Sequence, residues 1–211
     1  MDATLAVVTE SRRTQGERSA ATRLALIEAS RPLFSQYGFG SVSTESVVRA
    51  AGVTRGAMYH HFADKTELFA AVFEAIEIDL TQRLDVLVQN SGLENLIELM
   101  VFGARAWLDV CAEPEVQRLV LIEAPAVLGW ERWRGIGQRY GLGLVRSLVD
   151  LAISSGDFPQ QPSLPLAHVL MGALDEAALY VARSTDPSTA RAEVGAVLEN
   201  LVRGMAGPQR S

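Results

Sequence analysis

Apolar positions along this chain recur at steps of three and four residues, strict alternation is nearly absent, and no β-branched run is bounded by hairpin turns. The pattern predicts an all-α protein of about nine helices. The first spans about Glu17 to Tyr37, with Ala20, Leu24, Ile27 and Phe34 marking its apolar positions and Gly38 its stop. Pro32 lies inside it, where a lost N–H and a ring clash cost about 3 kcal/mol and predict a kink. A short helix capped by Ser43 or Thr44 runs to about Ala51, Gly52 breaks it, and Thr54 caps a third helix through His60. Asp64, with Glu67 three residues on, opens a long fourth helix. Its apolar stripe, from Leu68, Phe69, Val72 and Phe73 through Ile76 and Leu80 to Leu84 and Leu87, ends near Val88.

Five further helices are expected near 93–111, 114–128, 130–155, 163–184 and 187–204. The breaks between them are chemical: NSG at 90–92, Pro114, the loop SGDFPQQPSLP at 155–165, and Asp186-Pro187 as a cap followed by proline at the first helical position. The division that results is a polar tail over 1–16, a small head over 17–63, a larger body over 64–205 and a short tail over 206–211.

Composition adds an asymmetry. The whole chain carries −6, yet residues 11–65 hold eight basic side chains (Arg12, Arg13, Arg18, Arg23, Arg31, Arg49, Arg55, Lys65) and four acidic ones, and residues 66–211 carry −8. A basic front on an acidic body suggests a polyanion-binding head on a separate module. The single cysteine, Cys111, excludes an internal disulfide and fits a reducing, cytoplasmic setting. No apolar run approaches the roughly 18 residues of a membrane span, and the N-terminus lacks the pattern of a secretory signal. No membrane partner is expected.

The densest chemistry lies in AGVTRGAMYHHFADKTEL, residues 51–68, which holds the chain's only lysine. Two short helices meet around AGV: Ala50 and Ala51 allow close approach, Gly52 permits the turn, and Val47, Val48 and Val53 can anchor the pair. This is helix-turn-helix geometry, which lays the second helix in a DNA major groove. Thr54 offers a hydroxyl beside free amides, Arg55 can reach a guanine edge, Gly56 and Ala57 let backbone approach, and Tyr59 and His60 add donors. Lys65 can meet a phosphate, and Phe62 reads as packing. A metal at His60-His61 fits poorly, since neighbouring helical side chains point about 100° apart and Asp64, four residues beyond His60, lies past a helix break. His61 reads as support for the head.

Residues 44–69, TESVVRAAGVTRGAMYHHFADKTELF, resemble the DNA-binding signature of the tetracycline-repressor (TetR) family, and Leu33-Phe34 and Tyr37-Gly38-Phe39 resemble that family's first helix. The likeness covers roughly residues 20–70. It implies an all-α homodimer of about nine helices per chain that represses transcription until a small molecule binds. On the matching positions, Thr44, Thr54, Arg55, Gly56, Tyr59, His60 and Lys65 are implied to touch DNA. The last two helices carry wide apolar faces (Leu166, Leu170, Ala173, Ala177 and Tyr180; Val194, Val197, Leu198, Leu201 and Met205), able to cover the body or to dimerise. By the family analogy they form a four-helix bundle with a second copy. Groove geometry independently favours a dimer, because successive major grooves lie about 34–36 Å apart.

Elsewhere the signals are weaker. Arg105, Glu123 and the pair Asp175-Glu176 sit in apolar settings, where a charge is costly unless paired. Pairing, solvent and a ligand are all open to them. Trp107, Trp130, Trp133 and Phe73 are large enough to wall a pocket for a largely apolar effector, and plain core or interface is the simpler reading of each. The glycines of GIGQRYGLG, residues 135–143, lack the preceding strand of a nucleotide loop and read as close helix packing. No hydrolase, zinc-protease or P-loop pattern appears, so neither a catalytic set nor a cofactor is expected. The rival reading is a helical small-molecule carrier or enzyme with no DNA role. Activation in place of repression shares the same head.

Overall fold

The computed structural model describes residues 14–206, and all structural statements concern them. They form nine helices and no strand. Helix α1 (Gln15–Tyr37) begins two residues earlier than expected because Thr14 caps it. The Thr14 hydroxyl accepts from the Glu17 amide at 3.2 Å, and the Glu17 carboxylate accepts from the Thr14 amide at 2.6 Å. The expected tail over 1–16 is shortened accordingly; residues 1–13 and 207–211 lie outside the described residues. The helix runs as one element through Pro32, which is exposed, and stops at Gly38 with φ 80°.

Helices α2 (Thr44–Ala51) and α3 (Arg55–His61) pack on α1 and on each other across Gly52, whose φ of 66° supplies the left-handed turn. Asp64 caps α4 (Lys65–Gln89), accepting from the Glu67 amide at 2.9 Å. The body continues with α5 (Leu96–Cys111). Next comes α6, one helix in three registers: α-helical Pro114–Val116, π-helical Gln117–Glu123, α-helical Ala124–Leu128. Helices α7 (Trp130–Ser155), α8 (Ser163–Arg183) and α9 (Pro187–Met205) complete it. The wide register of α6 is the one feature that periodicity did not predict.

The expected division at residues 63/64 is not a break in the core. One buried cluster runs from Leu26 and Phe34 of α1 through Val47, Met58, Phe62, Phe69 and Phe73 to Trp133 and Leu179 in the body. Phe69 is its hinge pin: fully buried, it meets Phe34 and Phe39 edge-on, each with ring centroids 5.2 Å apart. A second cluster joins Met100, Val149, Phe158, Leu170 and Val202 at the far end of the body. Helix α8 is long and apolar enough to cross a membrane by length and composition, contrary to the expectation from apolar runs. It instead packs against α7 and α9 and buries Ala167, Leu170, Met171, Ala177, Ala178 and Leu179.

If Phe69 joins head to body, Phe69→Ala will destabilise the whole protein by about 3–5 kcal/mol. Urea unfolding followed by circular dichroism checks this, and a loss below about 1 kcal/mol would contradict it.

Candidate nucleic-acid interface and effector cavity

The outward face of α3 is built by what holds its inner face. Met58 is fully buried and Phe62 nearly so, which fixes the helix on α1 and turns Thr54, Arg55, Gly56, Tyr59 and His60 to solvent. The Thr54 hydroxyl accepts from the Ala57 amide at 3.1 Å and caps the helix, leaving its own O–H to donate. The Arg55 guanidinium lies over the Tyr59 ring at 5.5 Å and donates to Glu45 Oε1 at 3.1 Å. Thr44, half-buried at the start of α2, donates to the other Glu45 oxygen at 3.3 Å. These five outward residues and Thr44 therefore share one surface. Glu45, which sequence reasoning passed over, holds Arg55 there.

Lys65 is used differently from the expectation. Its ammonium donates to the Phe39 carbonyl at 2.7 Å and the Val42 carbonyl at 2.9 Å, and sits 4.2 Å from the Phe39 ring centroid. It clasps the turn between α1 and α2, so it is not a free cation for a phosphate. His60 is exposed and His61 half-buried, their rings edge-on at 5.2 Å. Among the described residues no cluster of histidine, cysteine and carboxylate side chains suits a metal ion.

The body encloses a cavity of about 130 Å³ between α4, α5, α6, α7, α8 and α9. Its wall is mostly aliphatic, from Leu80, Leu84, Met100, Leu144, Leu170 and neighbours. Trp107 and Trp133 line it as expected. Their indole N–H groups donate to the Leu174 carbonyl at 3.0 Å and the Val120 carbonyl at 2.8 Å, so no indole donor is left for a ligand. Asp175 lines it too, ion-paired with Arg134.

Four expected wall residues stand outside. Phe73 belongs to the core that joins head and body. Arg105 is exposed and pairs with Glu199. Trp130 is 57% exposed and lies against Trp133 on its outer side, because Gly129 starts α7 beyond the cavity. Glu123 points to the head: its carboxylate accepts from the Phe39 amide at 2.8 Å and from Arg118 Nε at 3.2 Å. Two of the expected packing glycines, Gly137 and Gly141, do face close neighbours, Met171 among them, while Gly135 and Gly143 face open space.

Glu77 was missed. It lies one turn from Phe73 and three residues before Leu80, on the apolar stripe of α4, and that placement was its signal in the sequence. It is 6% exposed and lines the cavity. Burial, then the Asp175 charge, pushes its carboxyl up to about 8. Burial also raises Asp175 to about 6, against the pull of Arg134. Arg134 had no sequence signal, since only the packing of α7 on α8 brings it to Asp175.

Residues 26–72 match the family described as bacterial regulatory proteins, tetR family, and residues 97–205 the one described as tetracyclin repressor-like, C-terminal domain. A solved TetR-family transcriptional regulator from Pectobacterium atrosepticum is 34% identical, with a TM-score of 0.80 over 94% of this chain and 100% of that one. The transposon Tn10 TetC protein of Escherichia coli is 28% identical over 167 residues, 77% of this chain and 81% of that protein. RolR, solved with resorcinol, shares the fold at 18% identity and a TM-score of 0.73, covering 93% of this chain and 99% of that one.

Both cavity carboxyls hold protons more tightly in the folded chain than their ordinary values of 4.5 and 3.8 allow. The stability this gives is complete in acid and declines as pH rises, until about 6 for Asp175 and about 8 for Glu77. Wild type should therefore lose stability between pH 5 and 8, by at most about 1.4 kcal/mol per pH unit per group. Glu77→Gln should flatten the portion between pH 6 and 8. Thermal denaturation across that range decides it, and parallel curves would mean that Glu77 titrates normally.

Proposed function

This chain belongs to the TetR family of bacterial transcriptional regulators, and on that premise we propose that it is a repressor that binds a palindromic operator as a homodimer and lets go when a small, largely apolar effector enters the body. The family consists of regulators and not of enzymes, and its members are soluble DNA-binding proteins; the cytoplasm is the compartment that fits. The observation that carries the reading is the outward face of α3, where Thr54, Arg55, Gly56, Tyr59 and His60 have no packing task. Arg55 and Tyr59 would read base edges, Thr54 and Thr44 would meet phosphates, and His60 would flank them. Gly56 has only the Thr54 hydroxyl near its virtual Cβ, at 3.9 Å, so a phosphate or base can come close to its backbone. Lys65 would act indirectly, by fixing the turn that sets α2 against α1.

Dimerisation is assigned to α8 and α9. Val169 and Tyr180, eleven residues apart and so on one side of α8, are 65% and 53% exposed; Val197 and Leu201, one turn apart on α9, are 63% and 41% exposed. Apolar side chains in that arrangement suit a second copy of the same pair. The effector would act through α6, whose π segment contributes Val120 and Leu121 to the cavity and Arg118 and Glu123 to the head.

Arg55→Ala should weaken binding to an operator drawn from upstream of the gene by roughly 10- to 100-fold, while binding to random duplex changes little. Fluorescence anisotropy over a salt series measures both; equal operator affinity for the two proteins would remove Arg55 from the reading role. Val197→Glu should shift the protein from dimer to monomer in sedimentation velocity. A dimer of wild-type strength would move the interface away from α9.

A further inference from the structure

Among the described residues, the Glu77 carboxyl is the one ionisable group of the cavity wall without a hydrogen-bond or ion-pair partner. Four ionisable or hydroxyl side chains line the cavity: Glu77, Thr81, Arg134 and Asp175. Arg134 and Asp175 neutralise each other. No hydrogen bond or ion pair reaches the Glu77 carboxyl from any described residue. Neither of its oxygens is completely buried, since no fully buried side-chain oxygen or nitrogen without a partner occurs among the described residues. Its Oε1 instead lies opposite Gly137, 3.9 Å from where a Cβ would stand, with the Met171 methyl at the same distance. An alanine methyl at 137 would stand in ordinary van der Waals contact with the carboxyl; glycine leaves that place to a ligand.

An ionised carboxylate in such a wall is costly unless a counter-charge arrives. The wall supplies none. A metal ion does not fit, because the described residues hold no cluster of three suitable ligands. Apart from Thr81 and the Arg134–Asp175 pair the wall is apolar, and Trp107 and Trp133 line it with their N–H groups already engaged. The volume of about 130 Å³ is close to the roughly 150 Å³ apolar cavity that accepts benzene. Resting on the regulatory reading above, we infer that the effector is a compact organic monocation, a protonated amine carried on one apolar ring or a short chain, with its ammonium donating to the Glu77 carboxylate.

The groups facing Glu77 set the proton balance. They are Asp175 and Arg134, from α8 and α7, and the buried thiol of Cys111 on α5, itself held protonated by burial. With Glu77 raised to about 8, a neutral-pH solution holds it mostly protonated, and ammonium binding expels that proton. Affinity for an amine should therefore rise as pH approaches 8. A neutral ligand of the same shape should show no such rise.

The test uses three probes of one size, phenethylamine, phenethyl alcohol and phenylacetate, titrated calorimetrically into full-length protein in two buffers of different ionisation enthalpy. The amine should bind roughly tenfold or more tighter than the alcohol, the scale of one charge-assisted hydrogen bond. It should release a proton, and phenylacetate should bind worst. Glu77→Gln keeps the side-chain shape and removes the buried charge, so it should melt no lower than wild type; it should abolish both the amine preference and the proton release. Alcohol or phenylacetate binding as tightly as amine, absence of amine binding, or a preference that survives Glu77→Gln overturns the assignment. Operator binding by the ligand-free protein is measured in parallel. Sound DNA binding with no amine preference sinks this inference alone, whereas amine binding without any operator binding sinks the regulatory reading and leaves the ligand class standing.

Discussion

The structure turns on how the end of α1 is satisfied. A helix leaves its last carbonyls without partners, and here α6 supplies them. Arg118 donates to the Ser35 carbonyl at 3.1 Å and the Gln36 carbonyl at 2.9 Å, while Glu123 takes the Phe39 amide just beyond. Arg118 and Glu123 also pair with each other, although they are five residues apart. In an α-helix such residues point about 140° apart; the π register of Gln117–Glu123 brings them to one side. Gly38 completes the fit. The φ of 80° requires glycine there, and a Cβ would also stand 2.6 Å from Glu123 Oε1 and displace that side chain from its partners. Arg31 adds a second tie, to Asp79 on α4 and to Glu115 on α6.

That junction explains why head and body share a core. The expected division at 63/64 follows the change from DNA-facing motif to apolar body, and the motif does end there. Packing follows a different rule. Leu68, Phe69, Val72 and Phe73, at the start of α4, are all buried, several of them against the aromatic and aliphatic side chains of α1, because α4 packs on α1 at one end and lines the cavity further along. A single rod then carries Phe69 at one end and Glu77, Leu80 and Leu84 further along.

Periodicity and caps made most of the fold legible. Ser43, Thr54, Asp64 and Asp186 cap helices where their side chains predict it, since a cap is a local event of three residues. The outward face of α3 was legible for the same reason: Met58 and Phe62 are the only bulky apolar residues nearby that can point inward. What sequence left hidden depends on contacts between distant residues. Lys65 read as a free cation, yet carbonyls 23 and 26 residues away occupy it. Glu123, Arg105 and Trp130 read as pocket walls because their neighbours are apolar, and helical phase turns them to the head or to solvent. Glu77 was legible in principle, an acid in phase with Phe73 and Leu80, and was masked by the other charges of the same helix.

Magnitudes limit what the junction can transmit. A ligand shifts an equilibrium only by its difference in affinity for the two states, and allosteric couplings run at about 1–3 kcal/mol. At the end of α1, the contact with α6 comprises three hydrogen bonds to backbone groups from two charged side chains, beside the Arg31–Glu115 pair. At roughly 1.5–3 kcal/mol each when made, and far less for any one that is merely lengthened, partial loss of this set already covers that range. No unfolding of the head is required. The ends of α1 and α4 are joined by the buried rings of Phe34 and Phe69, whereas α6, which brings Val120 and Leu121 to the cavity, meets the head through polar contacts at Arg31, Ser35, Gln36 and Phe39. On the proposed reading, an aromatic hinge beside polar contacts of this strength would let one ligand's worth of binding energy change the pitch of α3 while leaving its inner face packed.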